Sequence, residues 1–123
     1  MQVTEDFGTS PHLISAYGEG YIRINKQEYR QNLILTPTQI IENWCDCGPA
    51  ALEVDHFSPL DSNGLELILL GTGSKLVFPP PPLMQHFLCK KVGFEVMDLG
   101  AACRTYNVLL SEGRQVAAAI LLS

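Results

Sequence analysis

Gly71-Thr72-Gly73-Ser74-Lys75 is the first place in this chain where residue types and spacing could do chemistry. It follows the apolar run Leu65–Leu70. A glycine turn at the carboxyl end of a buried strand exposes backbone N–H groups, and ligands gather there in open α/β sheets. The named phosphate motifs are incomplete, however. A dinucleotide fingerprint needs another glycine where Leu76 stands, and a P-loop needs Gly-Lys-Ser/Thr. The plain alternative is a tight turn in which Gly71 or Gly73 takes a positive φ. Arg104 and Asn107 come next, on one polar stripe of a predicted helix. A guanidinium and an amide at that spacing suit a carboxylate, although a polar stripe also suits water. The connectivity brings Arg104 toward the glycine turn. Gly71, Thr72, Gly73, Arg104 and Asn107 are therefore the candidate residues for binding a ligand or partner, with an anion or carboxylate as the matching small molecule.

Two other clusters offer reactive groups. Glu53, Asp55, His56, Ser58 and Asp61 supply acids, a base and a hydroxyl in one short segment. Acid–base catalysis needs defined mutual geometry, and Gly-x-Ser-x-Gly around Ser58 is absent, so a solvated loop is the better reading. Cys45 and Cys47 form C-x-C, outside the usual zinc spacing. His86 and Cys89, one helical turn apart, leave a mixed site open. Small core residues account for most of the cysteines. No catalytic residue, metal ligand or cofactor is assigned from these patterns.

The net charge of −5, with Lys and Arg totalling 8, argues against phosphate backbones and anionic membranes as partners. The longest apolar runs, Leu67–Leu70 and Val116–Leu122, fall short of the roughly 20 residues of a spanning helix. The opening Met-Gln-Val-Thr-Glu-Asp has no basic region, so the expectation is a cytoplasmic protein without membrane insertion. With 46% hydrophobic and 17% charged residues, the chain has the makings of a core, and residues 1–123 read as a single domain.

The elements that must hold these groups are easier to read toward the C-terminus. His12–Tyr17 and Tyr21–Ile24 alternate around Gly18-Glu19-Gly20, as a hairpin does. Glu28–Leu35 reads as a further strand. Thr36 before Pro37 predicts a short helix over Pro37–Trp44. Residues Cys45–Asn63 stay ambiguous, with Ala51–Val54 a strand or a helical turn and a loop at Pro59, Asp61, Ser62, Asn63 and Gly64. Leu65–Leu70 is a strand covered on both faces. The prolines 79–82 open a helix to about Lys91 that Gly93 closes. Phe94–Met97 is a strand, Asp98 caps a helix to Glu112 with Gly113 after it, and Gln115–Leu122 is a buried strand. This β-α-β-α-β order implies a mixed or parallel sheet with helices packed on it.

Particular strings carry a resemblance. They are Leu69-Leu70-Gly71-Thr72-Gly73, Phe78-Pro79 and Gly93-Phe94-Glu95-Val96-Met97-Asp98, with Ala101 to Leu109 and Glu112 to Ala119 after them. Tyr29–Leu35 fits as well. Together they resemble domain of unknown function 498, the group that includes mitochondrial complex I assembly factor 3. The resemblance implies an α/β fold of three layers, with a central mixed β-sheet flanked by helices and an added N-terminal β-hairpin. It implies no established enzymatic activity and a non-catalytic accessory or assembly-type role exercised on a protein partner.

Overall fold

A computed structural model of the chain describes residues 12–60 and 64–122. The acidic N-terminal residues and Asp61, Ser62 and Asn63 lie outside the described residues. The strands are β1 (Ile14–Gly18), β2 (Tyr21–Ile24), β3 (Gln27–Tyr29), β4 (Leu33–Leu35), β5 (Ile40–Glu42), β6 (Leu67–Thr72), β7 (Gly93–Met97) and β8 (Val116–Leu121). Helix α1 (Pro81–Cys89) joins β6 to β7, and α2 (Leu99–Ser111) joins β7 to β8.

Alternation fixes how the central strands are covered. In β8, Val116, Ala118 and Ile120 face one core while Ala117, Ala119 and Leu121 face another, and all are buried. A strand buried on both faces needs covering layers on both. It lies inside a mixed sheet of 5 strands in the order β5-β4-β8-β6-β7, with β6 parallel to β7 and β8, and β4 antiparallel to β8 and β5. Helix α2 and the separate antiparallel sheet β1-β2-β3 cover one face, through Tyr106, Ile22 and Ile24. Helix α1 and residues 44–60 cover the other, through Leu83, Phe87, Trp44 and Phe57. The added hairpin and the mixed sheet agree with the expected fold.

Local signals explain most boundaries. Asp98 accepts from the Ala101 N–H at 2.9 Å and caps α2. Gly113 follows that helix at φ 76°. The predicted helix over Pro37–Trp44 is instead the turn and strand of the β4–β5 hairpin. Thr36 does bond as a cap does, its Oγ1 accepting from the Gln39 N–H at 2.9 Å. The Thr36 N–H also donates to the Gln39 carbonyl at 2.9 Å, which reverses the chain. The β-branched pair Ile40-Ile41 then suits a strand. Nor does Gly93 close α1: Lys91 takes the left-handed turn at φ 62°, and Gly93 starts β7. There its missing Cβ admits Leu67, whose Cδ1 would lie 2.8 Å from one.

A core hydroxyl stands out. The Tyr106 hydroxyl is buried with no hydrogen-bond partner among the described residues, and burial raises its ionisation well above the ordinary tyrosine range. Removing an unpaired buried hydroxyl removes its desolvation penalty. We expect Tyr106→Phe to stabilise the fold by about 1 kcal/mol, seen as a higher urea midpoint at unchanged slope. A lower midpoint would mean that the hydroxyl is hydrogen-bonded in solution.

Candidate functional site

Parallel strands β6 and β8 end side by side, and beyond their carboxyl ends lies an open cleft of about 950 Å³. This is where ligands bind in open α/β sheets. Its walls come from the β1–β2 turn (Tyr17 to Gly20), the link Arg30 to Asn32, and Asn43, Cys45 and Asp46. Gly73, Ser74, the start of α2 and Leu122 complete them. Glu19, Asp46 and Asp98 bring carboxylates to this lining. Among the described residues Arg30 is its one cation, and that side chain is spent on Glu28 at 2.7 Å.

Polar side chains tie the walls together. Asn32 donates to the Cys45 carbonyl at 3.1 Å and accepts from the Leu122 N–H at 2.9 Å, joining the β3–β4 link to the end of β8. Gly100 has no Cβ to crowd Arg104 Nη1 and Tyr17, which would approach one at 3.1 and 3.2 Å. Arg104 therefore folds back over the first turn of α2 and donates to the Tyr17 hydroxyl at 2.6 Å.

The predicted residues fall into separate roles. Gly71 is buried in β6, where a Cβ would lie 3.0 Å from that of Ala102, so its smallness lets α2 pack closely. Thr72 is also buried; its Oγ1 donates to the Lys75 carbonyl at 2.5 Å and accepts from the Val77 N–H at 3.2 Å. Gly73 turns at φ 83°, accepts from the Leu99 N–H at 2.8 Å and lines the cleft. Arg104 and Asn107 line a smaller hollow of about 260 Å³ on the far side of Tyr17, which borders both spaces. Asn107 is occupied by β1: its Oδ1 accepts from the Ile14 N–H at 3.0 Å and its Nδ2 donates to the Ile14 carbonyl at 2.7 Å. Since a Cβ is disfavoured at positive φ, Gly73→Ala should cost about 1 kcal/mol in a denaturant melt.

Reading the sequence missed Tyr17, Asn32, Asn43 and Asp46. Asn43 carried a usable signal, because it sits at φ 57° and asparagine tolerates that region better than most residues. In the acidic segment, Val54–Phe57 forms a single 3-10 turn, capped by Glu53 and His56 reciprocally. Cys45 and Cys103 are buried, and burial pushes their thiols up to about 11 and about 12. Cys47 is half-buried and Cys89 exposed, so the core role covers only part of the set.

The model of the family described as protein of unknown function (DUF498/DUF598) matches residues 14–121. The chain belongs to that family. Among DUF498/DUF598 relatives, the 13 kDa major membrane protein of Francisella tularensis subsp. holarctica is 29% identical over 122 residues, covering 98% of this chain and 99% of that protein. A Bordetella parapertussis protein of known crystal structure superposes with a TM-score of 0.84 at 32% identity, over 94% of this chain and 98% of its own. NADH dehydrogenase (ubiquinone) 1 alpha subcomplex assembly factor 3 of Xenopus tropicalis is 37% identical over 57 residues, which are 46% of this chain and 31% of that factor. Among the described residues, no helix is long and apolar enough to cross a membrane.

Proposed function

We propose that this chain is a non-catalytic accessory protein of the assembly type, acting as one domain through contacts with another protein. The observation that carries this reading is the loop after Gly73. Leu76, Val77 and Phe78 expose 55%, 39% and 60% of their surface. Adjoining exposed apolar side chains, one of them aromatic, have the composition of a contact surface. Thr72 holds the loop from within at Lys75 and Val77, and Pro79 is buried just beyond it. A pinned loop loses little entropy when a partner docks. The likeness to an assembly factor supports the same reading, and the expected place of work is the cytoplasm.

The test is a host lacking this chain, complemented with the wild type or with the double variant Leu76→Asp, Phe78→Asp. Both positions are exposed, so the variant should keep its stability within about 0.5 kcal/mol per site. The expected result is that assembled NADH dehydrogenase falls in the deletion strain and returns only with the wild type. Unchanged assembly in the deletion strain, or full rescue by the variant, overturns the reading. Recovery of the protein with washed membranes overturns the cytoplasmic part.

The cleft favours a second reading, a small-molecule site or enzyme at the Gly71–Gly73 turn and the Arg104 helix. Its lining carboxylates weigh against an anion or carboxylate and toward a neutral or cationic ligand. Amide shifts at Gly73 and Ser74 during titration with a fragment set would favour it, and their absence across the set would remove it.

A further inference from the structure

We propose that Cys45 and Cys47 form a redox-active dithiol, in which Cys47 is the sulfur that reacts with hydroperoxides and Cys45 closes a disulfide onto it. Three features of the 45–56 segment lead there. The first is orientation of a hydrogen-bond donor. His56 Nδ1 accepts from the Glu53 N–H at 2.9 Å, and a neutral imidazole that accepts at one nitrogen carries its proton on the other. Nε2 therefore presents N–H, and it lies 3.9 Å from the Cys47 sulfur. That donor stabilises a thiolate, the nucleophilic form of cysteine. The contact is long, as such contacts commonly are before reaction.

The second feature is the partner thiol. Cys45 is buried, and its Sγ reaches the Cys47 carbonyl at 4.0 Å. The chain bends at Asp46 and Cys47, and a single intervening residue keeps the two Cα atoms within about 7 Å of each other, near disulfide separation. The third is access. Cys47 is half-buried, whereas Cys45 is 7% exposed and lines the cleft. The more exposed thiol meets the oxidant first.

The Cys47 thiolate attacks one peroxide oxygen, the O–O bond breaks, and the departing alkoxide takes a proton to leave as alcohol. Cys47 becomes a sulfenic acid, oxidised by two electrons. The Cys45 sulfur, losing its proton, then attacks the Cys47 sulfur. The S–S bond forms, the S–O bond breaks, and water leaves. A dithiol reductant restores both thiols by exchange.

Cys89, exposed on α1, is a built-in reference. In the wild-type chain, Cys47 should alkylate with iodoacetamide at least about fivefold faster than Cys89, despite its lower exposure. His56→Gln should bring Cys47 down to the Cys89 rate and leave Cys89 unmoved. Hydrogen peroxide should give a peptide holding Cys45 and Cys47 that lacks two hydrogens. Cys45→Ser should stop at a sulfenic acid trapped by dimedone. Equal rates for Cys47 and Cys89 in the wild type, or no Cys45–Cys47 bond at peroxide levels that oxidise Cys89, would overturn the proposal. Both comparisons use the unaltered chain and hold even where a variant fails to fold.

Discussion

Phe57→Ala should cost about 3–5 kcal/mol, the largest loss expected from any single truncation in this chain. Phe57 is 3% exposed, and its ring centroid lies 4.9, 5.3 and 5.9 Å from those of Trp44, Phe87 and Phe94. Tilted and edge-on contacts of this kind add to the area the ring buries. Its position sharpens the effect. Residues 44–60 hold only 3-10 turns, so few backbone hydrogen bonds keep the segment on the sheet, and apolar anchors must do so. A domain of ordinary stability, about 5–15 kcal/mol, would lose a large share of it. Urea denaturation measures the loss directly. Phe57→Leu, which keeps most of the volume, should cost much less. A loss below about 1.5 kcal/mol for the alanine variant would show that the segment collapses to fill the hole.

Asn107→Ala should cost about 2–3 kcal/mol through a different mechanism. Its amide completes both backbone groups of Ile14, at 3.0 and 2.7 Å, and so ties β1 to α2. Alanine leaves an N–H and a carbonyl unpaired beside a half-buried interface. Asn107→Asp should not rescue, because it keeps the acceptor for the Ile14 N–H but sets a carboxylate against the Ile14 carbonyl. The loss should be local. Amide exchange in β1 and β2 should quicken well before that in β6 and β8, since the hairpin sheet is separate from the central one. Uniform quickening across both sheets would contradict this.

These variants also mark what could be read without a structure. Strands β6 and β8 were legible because a strand buried on both faces reads as an apolar run, and α2 because Asp98 and Gly113 bracket it with distinct cap chemistry. Thr36 misled because a threonine oxygen bonds an N–H three residues on in a helix cap and in a hairpin turn alike. What followed was decided by β4, a strand already paired with β8 and invisible to local pattern. The candidate site divided for a similar reason. A polar stripe with arginine and asparagine looks the same whether it faces a ligand or a strand, and here Asn107 meets Ile14 while Arg104 meets Tyr17. Cys47 and His56 were visible as residues, but their meeting depends on a cap that turns the imidazole.

Strand β8 is the last of the described strands to be made, yet it occupies the middle of the central sheet, between β4 and β6. Its register joins Leu33 to Ile120 and Leu67 to Val116. A chain leaving the ribosome N-terminus first therefore carries two unfinished half-sheets until its final strand is released. Before that moment, β4 and β6 present unpaired edges beside apolar faces, the condition under which nascent chains stick to one another. Folding here completes by insertion at the centre, so ribosome stalling or a premature stop just before residue 116 should yield a chaperone-bound or aggregated product instead of a shortened native domain.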